Sequence, residues 1–529
     1  MESARTTCPG ASSCAALEAS HDVACRLVYL APSLDVALRD AELRPMQLAL
    51  VAAWSVVIVL ALVAWALVRR RLDRAATRTV HRFRSRVDRY KLIRKETIIA
   101  ALMADDAIGE AVRAHAAADG RPVDASWRRV RGYLEEIIPF FNILAYYHLA
   151  VLVSRVVLNF FYKVSIEYER PDPFRGLPRN AIIIYLMNHR SNADYVLVTY
   201  ALAGEVSISY AVGEWARAFP LEFIFKSFGS YFIRRRYREP LYHTVLERYV
   251  QLITRHGVTQ GIFPEGGLSR DGTLRPAKIG LLDYALGVGR DASVRERMYV
   301  IPVAINYDRV LEDRSLLREL ASREGSAHAS RVTQLGEVAH YVVWNLGRLF
   351  TRRWKRYGRA AVTIGAPISL GTWFRELDAA GVQIFDLERS ERLGHVQQLC
   401  ERVMLRIGAL VPVTPVTLTC AAIQTFDADF ISRAMLLERM AELRSALLEL
   451  NARVLRAERD IDDVFERAYR MLRMRKVIAC QGTGFLILSR GRPLVSYYAN
   501  SIAHLLGPFA AGIRERDALP VLAATGAWD

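Results

Sequence analysis

Several motifs that define common enzyme and metal-binding classes are missing from this chain of 529 residues. Its six cysteines (8, 14, 25, 400, 420 and 480) form no C-x-x-C pair, so neither a structural zinc site nor a disulfide framework is indicated. A P-loop string and a G-x-S-x-G elbow are also absent. The match Gly287-x-Gly289-x-x-Ala292 to a dinucleotide fingerprint follows a helical pattern rather than a strand, so no dinucleotide cofactor is predicted.

Acidic residues are scarce between positions 69 and 95, where 12 Lys/Arg stand against two Asp in a chain of net charge +17. This basic segment follows residues 46–68, which carry no charge and exceed the ~20 residues that cross a bilayer. We predict a single transmembrane helix at 46–68, with the arginines and the rest of the chain on the cytoplasmic side of the cell membrane. A buried core helix is the alternative. Anionic lipid headgroups explain the basic segment better than nucleic acid, so no nucleic-acid partner is predicted.

The chain divides into five predicted regions. These are a tail (1–45), the transmembrane helix (46–68), a basic amphipathic helix with a helical region (69–168), an α/β domain (169–376) and a helical C-terminal region (377–529). Within the helical regions, helices are predicted at 96–118, 125–138 and 431–472. The apolar stretch 137–164 is interpreted as a helix against the bilayer or the core.

Short β-branched or aromatic runs alternate with helical patterns in the α/β domain. The predicted strands are 181–186, 206–211, 231–234, 261–264, 299–305 and 360–364. This alternation predicts a mixed, largely buried sheet flanked by helices. Open sheets of this kind bind ligands at their strand ends.

A histidine and a carboxylate follow the first of these strands, since His189 lies five residues before Asp194. A neutral imidazole, with an ordinary pKa near ~6.5, accepts a proton from a hydroxyl when a carboxylate fixes its tautomer. The spacing alone is weak evidence, because a structural histidine would fit it equally well.

Three further groups lie near predicted strand ends. Residues 229–235 form a glycine turn into a strand that delivers Arg234 and Arg235, whose planar guanidinium groups suit phosphate. Residues 263–270 place a glycine pair after a strand, with Arg275 and Lys278 beyond it. Residues 300–308 form a strand that more plausibly shapes the site than reacts. Each group alone has an ordinary structural explanation, but their occurrence together favours a site.

In this order the four groups resemble the acyltransferase blocks of the glycerophospholipid acyltransferases, of the His-x4-Asp type. Their flanks, together with residues 413–416 and 497–506, are similar to the glycerol-3-phosphate 1-O-acyltransferase branch. The resemblance covers residues 96–509. One departure is Leu268, which stands where this branch usually carries an arginine thought to contact the acceptor's phosphate.

The resemblance implies that His189, oriented by Asp194, removes the proton from the sn-1 hydroxyl of glycerol 3-phosphate. The oxygen then attacks the thioester of acyl-CoA or acyl carrier protein, giving lysophosphatidic acid without a cofactor or metal. The implied substrate-binding residues are Arg190, Gly229, Phe232, Arg234, Arg235, Glu265, Gly266, Ser269, Arg270, Lys278 and Pro302. Arg190 could instead face solvent, and the charge missing at Leu268 could come from Arg236, Arg275 or Lys278.

Two alternatives stay open. The acceptor could be dihydroxyacetone phosphate or a lysophospholipid, or the chain could be a non-catalytic protein that binds anionic lipid. The expected partners are acyl-CoA, glycerol 3-phosphate and a membrane with anionic lipids. His504, in the C-terminal similar segment, is expected to be a packed structural histidine.

Overall fold

The computed structural model describes residues 89–120, 122–140, 151–171, 176–178, 180–203, 205–217, 221–234, 237–324 and 356–507. The predicted tail, the predicted transmembrane helix at 46–68 and most of the basic helix lie outside these ranges, as do Arg235 and Arg236. Within the described ranges, no helix is long and apolar enough to cross a membrane. The transmembrane helix therefore stays a prediction.

Four helices precede the sheet in the described part of the chain: α1 (Lys95–Met103), α2 (Asp106–Asp119), α3 (Val123–Ile137) and α4 (Val151–Phe161). The single helix predicted at 96–118 is wrong, because the chain breaks between α1 and α2. Asp105 causes the restart, since its side chain accepts the backbone N–H groups of Ala107 and Ile108 at 3.1 and 3.2 Å. The helix predicted at 125–138 is confirmed as α3.

The main sheet contains eight strands among the described residues: β1 (Lys163–Tyr168), β2 (Ile182–Met187), β3 (Ser209–Gly213), β4 (Tyr231–Ile233), β5 (Gln260–Ile262), β6 (Met298–Tyr307), β7 (Arg359–Ile364) and β8 (Ile368–Ser369). Their order is β1-β7-β6-β2-β5-β3-β4, and β8 also pairs with β6. Strands β2 to β6 run parallel, whereas β7 is antiparallel to β6. The predicted mixed sheet is confirmed.

All six predicted strands are present, but β1 and the two-residue β8 were not predicted. Strand β1 pairs in parallel with β7 over residues 163–168, so the sheet begins before the domain boundary predicted at 169. Only Tyr162 separates β1 from α4. The apolar pattern of the helix therefore continues into the strand without a turn residue between them.

Buried apolar strands form the centre of the sheet. Every residue of β2 is buried, which is expected of a parallel strand covered on both faces. The helices between strands are α5 (Asp194–Ala201), α6 (Leu221–Ser227), α7 (Pro240–Arg255), α8 (Gly280–Leu286), α9 (Ala292–Arg295) and α10 (Asp313–Glu324). Because β2, β4, β5 and β6 are parallel, the residues after them lie along one edge of the sheet.

The C-terminal region is mainly helical, as predicted. Its elements are α11 (Leu370–Ala379), α12 (Arg389–Leu410), α13 (Pro415–Gln424), β9 (Phe430–Ser432), α14 (Arg433–Glu449), α15 (Ile461–Met474), β10 (Ile478–Gln481), β11 (Gly484–Ile487) and α16 (Arg492–Leu506). The small antiparallel sheet β10-β11-β9 was not predicted. Helix α13 is buried from Pro415 to Ile423 and packs against α14, α15 and α16.

The continuous helix predicted over 431–472 is wrong. Strand β9 occupies its start, and residues 450–460 separate α14 from α15. Asn451 and Arg456 adopt left-handed φ angles of 56° and 65° there, which no α-helix accommodates. The apolar stripe itself is real, because Leu436, Met440, Leu443 and Leu447 are the buried face of α14.

Candidate active site

The side chain of Asn188 marks the point where β2 ends and the candidate catalytic loop begins. Its amide nitrogen donates to the carbonyl of Ile305 at 2.9 Å, and its amide oxygen accepts the N–H of Ile305 at 2.7 Å. The side chain of Asn188 thus takes the place of the backbone hydrogen bonds that would extend the pairing of β2 with β6. The main chain of His189 is thereby free to leave the sheet and enter the loop that leads to α5.

His189 and Asp194 form a buried hydrogen-bonded pair. The distance from Nδ1 of His189 to Oδ2 of Asp194 is 2.9 Å, and the two side chains are 2% and 0% exposed. The backbone N–H groups of Arg190 and Ser191 also donate to Oδ2, at 2.7 and 3.0 Å, while the hydroxyl of Tyr307 donates to Oδ1 at 2.6 Å. With both carboxylate oxygens acting as acceptors, Nδ1 of His189 carries the proton and Nε2 carries the lone pair. This is the tautomer that a general base requires.

Aromatic rings fix the plane of the imidazole. The ring of His189 stacks on Phe263 with 4.1 Å between centroids, and Tyr195 meets it edge-on at 5.5 Å. Tyr195 in turn contacts Phe225 of α6 at 5.6 Å. The imidazole is thus positioned by packing as well as by its carboxylate partner.

Glu265 joins the loop after β2 to the loop after β5. Its Oε1 accepts the backbone N–H of His189 at 2.9 Å, and its Oε2 accepts that of Arg275 at 3.2 Å. Burial raises the pKa of Glu265 to about 7, although the charge of Arg190 and the two N–H donors oppose the rise. A further bond, from the N–H of Ser269 to the carbonyl of His189 at 3.1 Å, links the same two loops.

The predicted residues of the second group lie at the edge strand β4. Gly229 has a φ of 80°, which permits the turn into the strand, and Phe232 is buried in the core. The guanidinium of Arg234 forms a bidentate pair with Glu136 of α3, with an Nε–Oε1 distance of 2.9 Å and an Nη2–Oε2 distance of 2.5 Å. Arg217 pairs with the same carboxylate.

The glycine turn of the third group lies beneath two cationic side chains. Gly266 has a φ of 63°, and a Cβ there would lie 2.7 Å from Cδ of Lys278. Nη1 of Arg275 donates to the carbonyl of Leu268 at 3.3 Å. The side chain of Leu268 packs against the core. Arg275 and Lys278 therefore both approach the turn in which the expected arginine is missing.

Other predicted residues are engaged within the protein. The hydroxyl of Ser269 donates to the carbonyl of Thr273 at 2.7 Å, and Arg270 pairs with Glu319 of α10 at 2.7 Å. Pro302 is buried in β6, where it pairs in register with Leu186 of β2. These contacts assign Ser269 and Pro302 to the framework of the site.

Arg190 is buried rather than solvent-facing, which excludes the alternative placement considered for it. It is 2% exposed, and its guanidinium donates to the carbonyls of Gly272 and of Ser501 on α16. His504, one turn further along α16, lies 3.0 Å from the carbonyl of Gly408 through Nε2. Burial lowers the pKa of His504 to about 4, so the ring is neutral and packed, as expected.

The sequence pattern missed two residues that hold the catalytic loop. Tyr307 donates to Asp194 from 113 positions away, and Glu312 accepts the hydroxyl of Ser191 at 2.7 Å and the N–H of Asn192 at 3.2 Å. Only the position of Tyr307 at the end of the fourth group pointed to it. In the described ranges, no cluster of three or more His, Cys, Asp or Glu could hold a metal ion.

Two family models match the chain on either side of residue 325. The model described as Acyltransferase matches residues 171–306, which include the His189–Asp194 pair. The model described as Glycerol-3-phosphate acyltransferase C-terminal region matches residues 343–512, which include α16. The chain thus resembles acyltransferases in the first region and glycerol-3-phosphate acyltransferases in the second. The four blocks, as far as residue 306, and the C-terminal segments identified from the sequence fall in these two matched regions.

Two curated bacterial proteins are similar to this chain over part of their length. The glycerol-3-phosphate acyltransferase of Xylella fastidiosa (strain M23) is 25% identical over 444 residues, which cover 82% of this chain and 50% of the relative. That of Aeromonas hydrophila is 29% identical over 356 residues, which cover 65% and 41%. The chain spans about half the length, 50%, of the first curated relatives it matches.

A solved structure also matches part of the chain. It is the 1-acyl-sn-glycerophosphate acyltransferase PlsC from Thermotoga maritima, at 17% identity, and the match covers 46% of this chain and 80% of that one. The TM-score of 0.26 is too low for a comparison of individual elements.

Proposed function

We propose that this chain transfers a fatty acyl group from a thioester donor to the sn-1 hydroxyl of glycerol 3-phosphate, giving lysophosphatidic acid. The observation that carries the proposal is the buried pair of His189 and Asp194, with its Nδ1–Oδ2 distance of 2.9 Å. The pair lies at the carboxyl edge of the parallel strands, where such sheets bind ligands. Similarity to the C-terminal region of glycerol-3-phosphate acyltransferases and to the Xylella fastidiosa protein of that name supports this choice of acceptor.

In the proposed reaction, Nε2 of His189 accepts the proton of the acceptor hydroxyl while its oxygen attacks the thioester carbonyl. Asp194 stabilises the imidazolium that forms. The tetrahedral intermediate then collapses, the C–S bond breaks, and the proton passes from His189 to the departing sulfur. A thiol with a pKa near ~8.5 leaves without help from a metal. Ser269 takes no covalent part, because its hydroxyl is bonded within its own loop.

The phosphate of the acceptor would be bound by cations at the same sheet edge. We assign Arg275 the role that an arginine at position 268 plays in this branch, because its guanidinium already lies against the carbonyl of Leu268 at 3.3 Å. Lys278 covers the adjacent Gly266 and adds a second charge. Arg234 would join them only by exchanging its partner Glu136 for the phosphate.

We also propose that the protein works at the cytoplasmic face of the cell membrane. The predicted span at 46–68 and the basic segment after it support this location. A second support is a pair of exposed aromatic rings, since Phe140 and Phe223 are 39% and 62% exposed and lie 5.2 Å apart. Exposed aromatic rings suit the interfacial region of a bilayer.

The activity can be tested by measuring thiol release from acyl-CoA and from acyl carrier protein. Acceptors would be glycerol 3-phosphate, dihydroxyacetone phosphate, a lysophospholipid or none. We expect release that requires both a donor and glycerol 3-phosphate. Preference for another acceptor would instead support one of the alternative transferases. Absence of release with every pair, from protein that still binds anionic vesicles, would reject an enzyme and support the lipid-binding alternative.

A further inference from the structure

Arg190 contacts the catalytic carboxylate with its main chain and the C-terminal region with its side chain. Its N–H donates to Oδ2 of Asp194 at 2.7 Å. Its guanidinium donates from Nη2 to the carbonyl of Ser501 on α16 at 3.4 Å, and from Nη1 to the carbonyl of Gly272. One buried residue therefore spans the distance between the His189–Asp194 loop and helix α16.

Helix α16 also lies directly on the loop that follows β5. Gly272 has a φ of 88°, and a Cβ at this position would overlap the carbonyl oxygen of Tyr497. Beside it, the amide nitrogen of Asn500 donates to the carbonyl of Asp271 at 2.9 Å. This loop holds His189 in turn, through the N–H of Ser269 at 3.1 Å.

A third connection runs from the C-terminal region through the start of α10. Asp313 forms a buried bidentate pair with Arg475, with an Nη2–Oδ1 distance of 2.7 Å, and accepts the hydroxyl of Tyr498. The preceding residue, Glu312, holds the hydroxyl of Ser191 at 2.7 Å. The catalytic loop is thus attached to the C-terminal region from several sides.

We propose that the C-terminal region positions the catalytic loop, and that Arg190 is the positioning residue that joins the two, instead of a ligand of the acceptor phosphate. This inference rests on the proposed function. Burying a guanidinium is costly unless its donors find acceptors, and here two carbonyl oxygens accept from Nη1 and Nη2, while Nε has no hydrogen-bond partner among the described residues. Because the side chain is only 2% exposed, a phosphate could contact the guanidinium only if the structure packed around it moved. The charge of Arg190 also lowers the pKa of Glu265, the other residue that holds the main chain of His189.

The test compares Arg190→Met, Arg190→Lys and Asn500→Ala with a control, Arg433→Met. Arg433 belongs to the same C-terminal region but forms half-exposed ion pairs with Asp462 and Glu466, which contribute little. We expect kcat to fall about 100-fold in Arg190→Met, as it does when a catalytic group is displaced, with the KM for glycerol 3-phosphate unchanged. Asn500→Ala should lose about 5-fold in kcat, the effect of one hydrogen bond, and Arg190→Lys should lie between wild type and Arg190→Met.

The pH dependence of kcat separates positioning from a general loss of structure. Glu265 accepts the N–H of His189 at 2.9 Å, and Arg190 lowers the pKa of Glu265. Arg190→Met should therefore raise the pH at which Glu265 becomes protonated and move the acidic limb of the profile to higher pH. Arg433→Met should leave the profile in place. A kcat that is retained while KM rises about tenfold, the loss of a charge-assisted contact, would make Arg190 a phosphate ligand and overturn the inference.

Amide hydrogen exchange provides a readout that needs no turnover. Exchange across residues 188–195 should be faster in Asn500→Ala and Arg190→Lys than in wild type and Arg433→Met. If Arg190→Met does not fold, Asn500→Ala and Arg190→Lys still test whether the C-terminal region positions the catalytic loop. Unchanged exchange together with unchanged kcat would reject the inference. If the wild-type protein transfers no acyl group but exchange is still faster in Asn500→Ala and Arg190→Lys, the proposed function is rejected and the positioning role stands.

Discussion

The hydroxyl of Tyr307 lies 2.6 Å from Oδ1 of Asp194, on the opposite oxygen from the one that contacts His189. Tyr307 ends β6, whereas Asp194 begins α5, so the bond joins the strand beside β2 to the catalytic loop. Among the described residues, four groups donate to Asp194, namely Nδ1 of His189, the N–H groups of Arg190 and Ser191 and the hydroxyl of Tyr307, and they keep the carboxylate oriented toward the imidazole. The environment of the proposed base, His189, is therefore set by the sheet as much as by the loop.

Tyr307→Phe removes this donor and leaves a buried carboxylate oxygen without it. We expect kcat to fall about tenfold and stability to fall by about 2 kcal/mol, the cost of a lost bond to a charged group. KM values should not change, because no substrate contact is assigned to the hydroxyl. The matched control is Tyr162→Phe. That ring packs on Tyr307 at 5.4 Å, but its hydroxyl donates to the carbonyl of Arg309 at 2.7 Å. Equal losses of kcat in both variants would contradict a specific role for Tyr307.

Glu136→Gln should strengthen binding of glycerol 3-phosphate. The carboxylate of Glu136 neutralises part of the charge of Arg217 and Arg234. Its removal leaves both guanidinium groups able to pair with the phosphate of glycerol 3-phosphate. We expect the KM for glycerol 3-phosphate to fall about 3-fold with kcat retained, the scale of a partly exposed ion pair. Glu135→Gln is the control, because that neighbouring carboxylate is 55% exposed and pairs with Arg131 along its own helix. An unchanged KM in Glu136→Gln would place Arg234 outside the acceptor site.

Arg275→Met tests whether this residue supplies the charge missing at Leu268. We expect the KM for glycerol 3-phosphate to rise about tenfold, as for loss of one charge-assisted contact. Adding Leu268→Arg to the variant should restore much of the affinity, because it returns a guanidinium to the same turn. If Leu268→Arg alone lowers KM and Arg275→Met has no effect, then Arg275 is not the substitute.

The titration of Glu265 should appear in the pH dependence of stability. Burial raises the pKa of Glu265 to about 7, so the folded protein keeps a proton that the unfolded chain loses near pH ~4.3. The free energy of unfolding should therefore fall as pH rises between these two values. Glu265→Gln lacks this titration, and its loss of stability from pH 5 to pH 8 should be smaller by up to ~3 kcal/mol. Equal pH dependence of the denaturation midpoint in both proteins would contradict the raised pKa.

Much of the main sheet was predictable because its strands are short β-branched runs separated by helical patterns. Strand β1 was not predicted because only one residue separates it from α4. Apolar periodicity alone does not show where such a helix ends and the strand begins. The break between α14 and α15 was missed for a related reason. Leu450 continues the heptad-like stripe of α14, while the left-handed turn at Asn451 and Arg456 carries neither glycine nor proline.

The part of the site that was predictable consists of residues that lie close together in the sequence. His189 and Asp194 are five residues apart, and the order of the four groups indicated the resemblance to glycerophospholipid acyltransferases. Tyr307, Glu312 and the α16 carbonyls reach the loop only through the tertiary fold, over 113 to 311 positions of sequence. The spacing of residues along the sequence does not predict contacts between positions so far apart. For the same reason, the sequence could not show that Arg190 is buried against α16.

The most direct test of the central claim is the rate of acyl transfer to glycerol 3-phosphate by His189→Ala, measured as acceptor-dependent thiol release. If His189 is the general base, the rate should fall by at least about 10²-fold. The variant should retain the thermal unfolding midpoint of the wild type to within a few degrees. Turnover by a folded His189→Ala at the wild-type rate would contradict the mechanism.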